Sequence, residues 1–147
     1  YILGRGAVIG EMSVLAGVPR TANVLADTSV TALWLSTEAM QQLMGQSPDL
    51  SASLWKTAGA RFAENLIGSR DPYRQWSQLR LRRWLNDGIV ISPADGEKVD
   101  LYGKTAVLVA GMVNLPGQVQ PMTAPLVLDV AEATFSNQAK LYVRSEG

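Results

Sequence analysis

The chain contains no cysteine and no histidine among its 147 residues. It therefore offers no disulfide, no thiolate nucleophile and no histidine-based catalytic triad, and most transition-metal sites would lack their usual ligands. We expect neither enzyme activity nor a bound metal. Basic and acidic residues number 13 each, so the total charge favours neither nucleic acid nor an anionic membrane as a general partner.

Long hydrophobic runs are also missing. The longest, Ala106 to Val113, is far shorter than the ~20 residues of a membrane-spanning helix. A hydrophobic fraction of 47% is nevertheless enough to build the core of one ordinary domain or two small ones. Because the sequence opens on Tyr1 within an apolar run, we expect it to be a piece of a longer chain.

Residues 1–35 consist of apolar runs broken by glycine, a pattern that predicts short strands. Ser36 is the predicted N-cap of a first helix that ends at Gly45. Ser47 followed by Pro48 predicts the start of a second helix, of about five turns, that ends at Gly68.

A third helix is predicted to open at Asp71-Pro72 and to stop at Gly88, with Trp76, Leu79 and Trp84 toward one side. After Gly88 the pattern changes to short β-branched or alternating runs. The turns that separate these runs are predicted at Pro93 to Gly96, Pro116-Gly117 and Ser136-Asn137.

The stretch "GEMSVLAGVPRTANV", residues 10–24, places an acid and an arginine on either side of a glycine-containing loop. A short helical turn entered through Gly10 would direct free backbone N–H groups at an anion, and Arg20 would add a planar pair of donors. Glu11 would repel that anion, but its carboxylate suits hydroxyl donors such as a ribose 2′-OH. A phosphate beside a ribose hydroxyl indicates a nucleotide.

This stretch resembles the phosphate-binding cassette of the cyclic nucleotide-binding domain, the fold of the bacterial cAMP receptor protein, cyclic nucleotide-dependent kinases and cyclic nucleotide-gated channels. The family pattern is Gly-Glu, an apolar pair, a glycine-containing loop, and Arg-Ala/Thr/Ser-Ala before a β-branched residue. The residues that match it are Gly10, Glu11, Leu15, Gly17, Pro19, Arg20, Thr21, Ala22 and Val24.

The resemblance implies an α+β fold, namely the C-terminal half of a β-roll with its helices, followed by a second small β-rich domain. It implies cAMP or cGMP as ligand, with Glu11 on the ribose and Arg20 on the phosphate. The predicted nucleotide-binding residues are Gly10, Glu11, Met12, Ser13, Arg20, Thr21 and Ala22. The residue that would cap the base stays open among Arg61, Phe62 and Asn65.

The segment "LRLRRWLNDGIVISPADGEKVDLYGKTAVLVAGMVNL" resembles, more weakly, the region after the cyclic nucleotide-binding-like domain of plant-type and sperm-type Na+/H+ antiporters. We therefore predict a regulatory module on the cytoplasmic face of such an antiporter, attached to the rest of the transporter chain. The alternatives are a cyclic nucleotide-gated channel tail, a ligand-free scaffold module, and a transcription regulator of the cAMP-receptor type.

The predicted domains are residues 1–70 (nucleotide-binding half with its helices), 71–88 (connecting helix) and 89–147 (β-rich domain). No nucleic-acid partner is expected, because the tail lacks a basic recognition helix, and a homodimer is left open. Three interpretations of the arginine-rich segment stay open, namely contact with nucleic acid, contact with lipid headgroups, and a solvated helical face. Its arginines are Arg70, Arg74, Arg80, Arg82 and Arg83.

Overall fold

The computed structural model describes residues 2–20 and 22–146, and it divides into two compact units, Tyr1–Leu54 and Trp55–Gly147. The helices are α1 (Glu11–Ala16), α2 (Thr37–Gln46), α3 (Pro48–Ile67) and α4 (Gln78–Asn86), with a 3-10 turn at Tyr73–Gln75. The strands are β1 (Ile89–Ile91), β2 (Lys98–Asp100), β3 (Lys104–Asn114), β4 (Met122–Thr123), β5 (Leu126–Leu128) and β6 (Glu132–Ser145). The fold is therefore a mixture of helices and antiparallel sheet.

The first two predicted helices are confirmed, and their starts follow from local capping. The Ser36 Oγ accepts a hydrogen bond from the backbone N–H of Ala39 at 3.1 Å, which satisfies one of the free donors at the start of α2. The Ser47 Oγ does the same for Leu50 at 3.3 Å at the start of α3. After α3, the Gly68 N–H donates to the Glu64 carbonyl at 3.0 Å, where the sequence predicts the helix to end.

The third predicted helix begins later than the sequence indicates. The chain makes a 3-10 turn after Pro72, and Trp76 is extended with φ −86 and ψ 151, so α4 starts only at Gln78. The capping residue is Ser77, whose Oγ accepts from the Arg80 N–H at 3.2 Å. The prediction was wrong here because both Asp71-Pro72 and Ser77 are residues that can start a helix. The structure shows only a 3-10 turn after the first, and α4 begins after the second.

Residues 2–35 form no strand within the part of the chain that the structure describes, although their sequence predicts several. Strands require a ladder partner for their backbone groups, and here these segments are irregular apart from α1. Their large apolar side chains are exposed, among them Ile2, Ile9, Leu25, Leu33 and Trp34.

The long antiparallel pair β3 and β6 is the centre of the sheet in the second unit. One edge of β6 pairs with β1 and β2, and the other edge of β3 pairs with β4 and β5. Alternating apolar residues of these strands form the core beneath the sheet. That core contains Leu101, Ala106, Leu108, Val113, Leu128, Ala133, Phe135, Ala139 and Leu141.

The predicted turn at Ser136-Asn137 is instead an irregularity inside β6. The strand continues from Glu132 to Ser145, while Asn137 and Gln138 take left-handed φ values of 59 and 54. The pairing register shifts there, so that Ala110 pairs with Lys140 and Met112 with Ser136. A bulge accommodates the left-handed conformation of these two residues, which the sequence predicts as part of a turn. The strand continues because it is paired on both sides of the bulge.

Tyr142 of β6 anchors α4 and the chain after it to the sheet. Its side chain is fully buried, and its hydroxyl donates to the Leu85 carbonyl at 2.5 Å. Its ring lies so close to Gly88 that a Cβ at residue 88 would overlap the Cζ and Cε2 atoms of the ring and the hydroxyl oxygen. The packing therefore requires glycine at residue 88.

Over the described ranges, no helix has both the length and the apolar character needed to cross a bilayer.

Candidate functional site

Helix α1 begins at the point where the sequence predicts a phosphate-binding turn. Gly10 precedes it with φ 85 and ψ 4, a left-handed conformation that glycine adopts without steric cost. Glu11 occupies the first helical position and is only 5% exposed. The next two residues of the first turn are Met12 and Ser13, whose backbone N–H groups are among those that have no acceptor within an α-helix.

Arg20 lies against the start of α1, although ten residues separate it from Gly10 in sequence. Its Nη1 donates to the Gly10 carbonyl at 2.5 Å, and an added Cβ at Gly10 would lie 2.6 Å from the Arg20 Cζ. A side chain at residue 10 would therefore displace the guanidinium. The sequence-predicted Gly10 and Arg20 are thus brought together, and the glycine is needed for both its φ and its lack of a side chain.

The loop between α1 and Arg20 returns the chain to the helix start. Gly17 ends α1 with φ 67, and its N–H donates to the Ser13 carbonyl at 3.0 Å. The Ser13 Oγ donates to the Gly10 carbonyl at 3.3 Å, so this carbonyl is the common acceptor for Ser13 and Arg20. Sequence reasoning missed that acceptor role, because no pattern of residue types reveals which backbone oxygen a distant side chain will reach.

The other predicted residues are Thr21, Ala22 and the candidates for a base-capping residue. Thr21 lies outside the described residues, and Ala22 is exposed in the irregular segment after Arg20. The candidates for a base-capping residue belong to the second compact unit. Of these, Phe62 is buried, Arg61 is half-buried and Asn65 is exposed. Their role stays a prediction.

The guanidinium of Arg20 is exposed and has further N–H groups that can donate to a ligand. Arginine presents five N–H donors, and the hydrogen bond to the Gly10 carbonyl uses a donor of Nη1 alone. A planar cation beside the first turn of α1 can bind an oxyanion such as a phosphate diester with two parallel hydrogen bonds. Among the described residues, no group of three acidic side chains is placed to hold a metal ion.

Comparison with known proteins assigns this part of the chain to a family. Residues 1–47 match the model of the cyclic nucleotide-binding domain. The chain is 43% identical over 56 residues to a cyclic nucleotide-gated potassium channel of Mesorhizobium japonicum, and 41% identical over 56 residues to one of Rhizobium etli. Each match covers 38% of this chain and 16% of the relative. Residues 1–47 are therefore part of a cyclic nucleotide-binding domain.

Proposed function

We propose that the cassette of residues 10–22 binds cAMP or cGMP and that the chain is a regulatory module. The observation that carries this proposal is the position of the Arg20 guanidinium, 2.5 Å from the carbonyl that precedes α1, within the segment matched by the family model. It supports a site in which one cation and the first turn of α1 bind the same cyclic phosphate.

Each cassette residue then has a role in the proposal. Arg20 pairs with the phosphate oxygens, and the backbone N–H groups of Met12 and Ser13 approach them from the helix start. The Glu11 carboxylate accepts a hydrogen bond from the ribose 2′-OH. Backbone N–H groups of Thr21 or Ala22 are further donors to the phosphate in this proposal, as the family resemblance implies.

The relatives support a particular attachment. Both are named as cyclic nucleotide-gated potassium channels, which favours a channel tail on the cytoplasmic face of a membrane over the predicted antiporter module. The antiporter stays a second candidate on the weaker resemblance of residues 79–115. In either case the partner is the rest of a membrane protein, with residues 71–88 as connection and 89–147 as a second β-rich domain.

The proposed mechanism is a shift between conformations and involves no bond-making step, so the module is not an enzyme. Nucleotide that binds the cassette more tightly in one conformation than in another stabilises that conformation. Helix α3 starts in the first compact unit and ends in the second. It is therefore the covalent route by which a change at the cassette reaches the sheet.

Isothermal titration of cAMP and cGMP into the protein in its full natural length tests the binding. We expect saturable binding by the natural protein and by Arg5→Ala, a control that removes an exposed arginine of the same unit. Arg20→Ala should bind about a hundredfold more weakly, because a charge-assisted pair to the phosphate is lost. Equal binding by both variants would remove Arg20 from the site, and a natural protein that binds neither nucleotide would indicate a ligand-free scaffold.

Hydrogen exchange tests the coupling separately. If nucleotide shifts the conformation, amides of α2 and α3 should exchange at a different rate with saturating ligand than without it. Binding without any such change would leave a nucleotide site but refute the regulatory mechanism.

A further inference from the structure

Helix α4 has one face packed in the core of the second unit and another face that is exposed to solvent. Leu81 and Leu85 are buried at 5% and 1% exposure, whereas Leu79 is 59% exposed. Arg80 and Arg83 are also exposed and lie one helical turn apart. Leu79, predicted from sequence to lie beside the tryptophans, is thus an apolar surface side chain that precedes Arg80 in sequence and lies one helical turn from Arg83.

Among the described residues, these two arginines differ from the others of the segment in having no carboxylate partner. Other arginines of the segment have carboxylate partners: Arg82 Nε donates to both oxygens of Glu64 at 3.0 and 3.1 Å, and Arg70 pairs with Asp129 at 3.0 Å. Within the described ranges, no carboxylate lies within 4.0 Å of Arg80 or Arg83. Residues 70–86 contain five arginines and one aspartate, in a chain whose net charge is zero.

An aromatic cluster holds the open face in place. The guanidinium of Arg80 lies over the Trp76 ring, 4.1 Å from its centroid. Trp76 in turn makes edge-to-face contacts with Tyr73 and Trp84, at centroid distances of 5.2 and 5.7 Å. Arg80 is therefore positioned before any partner arrives. We call Trp76, Leu79, Arg80 and Arg83 the α4 basic face.

We propose that the α4 basic face binds the surface of a membrane that contains anionic phospholipid. Two arginines that have no carboxylate partner among the described residues suit headgroup phosphates, and the exposed apolar side chain beside them suits the acyl boundary directly beneath. The half-buried Trp76 matches the preference of tryptophan for that interface.

Two other polyanions fit less well. A single-stranded nucleic acid would need an open ring on which a base could stack, but Arg80 covers a face of Trp76 and the neighbouring rings meet it edge-on. An acidic polypeptide would pair with the arginines but gives no reason for the exposed Leu79. A membrane surface supplies headgroup phosphates and, directly beneath them, hydrocarbon. The inference depends on α4 and not on the proposed nucleotide site.

Vesicle co-sedimentation of the 147-residue chain tests this, with vesicles of phosphatidylcholine alone or mixed with phosphatidylglycerol. We expect salt-sensitive binding to the mixed vesicles only, with a blue shift of tryptophan emission. Arg80→Gln with Arg83→Gln should lower the partition coefficient about thirtyfold, since each basic residue near an anionic surface contributes about fivefold. Leu79→Ser should lower it about fivefold through lost apolar contact.

The matched control removes the same charge elsewhere in the second unit. Lys56→Gln with Lys98→Gln, both at exposed positions, should leave binding within about twofold of the natural chain. All substituted side chains are at the surface, and circular dichroism checks that each variant is folded. Supporting results are selective losses in the arginine pair and in Leu79→Ser.

Several results would overturn the proposal. They are no binding of the natural chain to mixed vesicles at low salt, equal binding to pure phosphatidylcholine, and an equal loss in the lysine control. Binding to soluble polyglutamate in place of vesicles would assign the face to an acidic polypeptide. Nucleotide binding is measured separately, so neither proposal's failure is mistaken for the other's.

Discussion

The hydroxyl of Tyr142 offers a direct test of the packing in the second unit. The side chain is fully buried, and the hydroxyl donates to the Leu85 carbonyl at the end of α4. Burial raises the pKa of the Tyr142 phenol well above its ordinary value of about 10, with Arg144 opposing the shift and Asp87 adding to it. Tyr142→Phe removes both the hydrogen bond and the titrating group.

Two contributions set the expected magnitude, a hydrogen bond at neutral pH and the ionisation of the phenol in alkali. At neutral pH the variant loses one buried hydrogen bond, while the Leu85 carbonyl still accepts from the Gly88 N–H at 3.1 Å. The free energy of unfolding should fall by about 1 kcal/mol. In alkali the natural chain itself loses stability, because the phenol ionises in the unfolded state first. That stability is fully present below about pH 10 and decreases above it, by about 1.4 kcal/mol between about pH 9 and 11.

Urea unfolding followed by tryptophan fluorescence, repeated from neutral to alkaline pH, measures both contributions. The natural chain should start about 1 kcal/mol more stable than Tyr142→Phe, and the two curves should converge near about pH 11. Tyr102→Phe is the matched control, because this side chain is 82% exposed and should track the natural chain throughout. A constant difference between Tyr142→Phe and the natural chain across the range would refute a buried, hydrogen-bonded phenol.

Three further predictions concern single residues of the helices and the chain after α4. Gly88→Ala should destabilise the second unit by about 1–3 kcal/mol in urea unfolding, because the new methyl group overlaps the Tyr142 ring; an unchanged midpoint would show that the ring can move aside. Ser77→Ala should cost about 1 kcal/mol through loss of the cap on the Arg80 N–H, with Ser77→Asp restoring it in thermal unfolding. Gly45→Ala in α2, where an added Cβ meets nothing within 4 Å, should raise helical ellipticity and stabilise by about 0.5–1 kcal/mol. A loss of stability in that variant would contradict the open surroundings.

Local signals predicted much of the chain after residue 35. Ser36 and Ser47 each cap a helix where the sequence places one, since a cap acts on an N–H only three residues away. The β-branched runs after Gly88 overlap β1, β2, β3, β5 and β6, whereas the short β4 was not predicted. Where two signals competed, as at Asp71-Pro72 and Ser77, the sequence pattern alone did not decide which would begin the helix.

The residues of the candidate site stay a prediction, whereas their contacts are known only from the structure. The Gly-Glu pair and Arg20 stand out in the sequence as residue types suited to a ribose and a cyclic phosphate, and the family match covers the same segment. That the guanidinium lies against the Gly10 carbonyl depends on how the loop through Gly17 returns the chain. This geometry is set by several backbone angles together, and no single residue encodes it.

The starts of α2 and α3 and the strand-forming character of the runs after Gly88 were predictable from the sequence, because those properties depend on neighbours a few positions away. The folded structure was needed to show that the apolar Leu79 is exposed to solvent while Leu81 is buried, and that Ser136-Asn137 lies in a continuous strand. It alone brought the Tyr142 hydroxyl to a carbonyl 57 residues away. Burial and long-range hydrogen bonds depend on which surfaces meet when the chain folds, and that is a property of the whole unit.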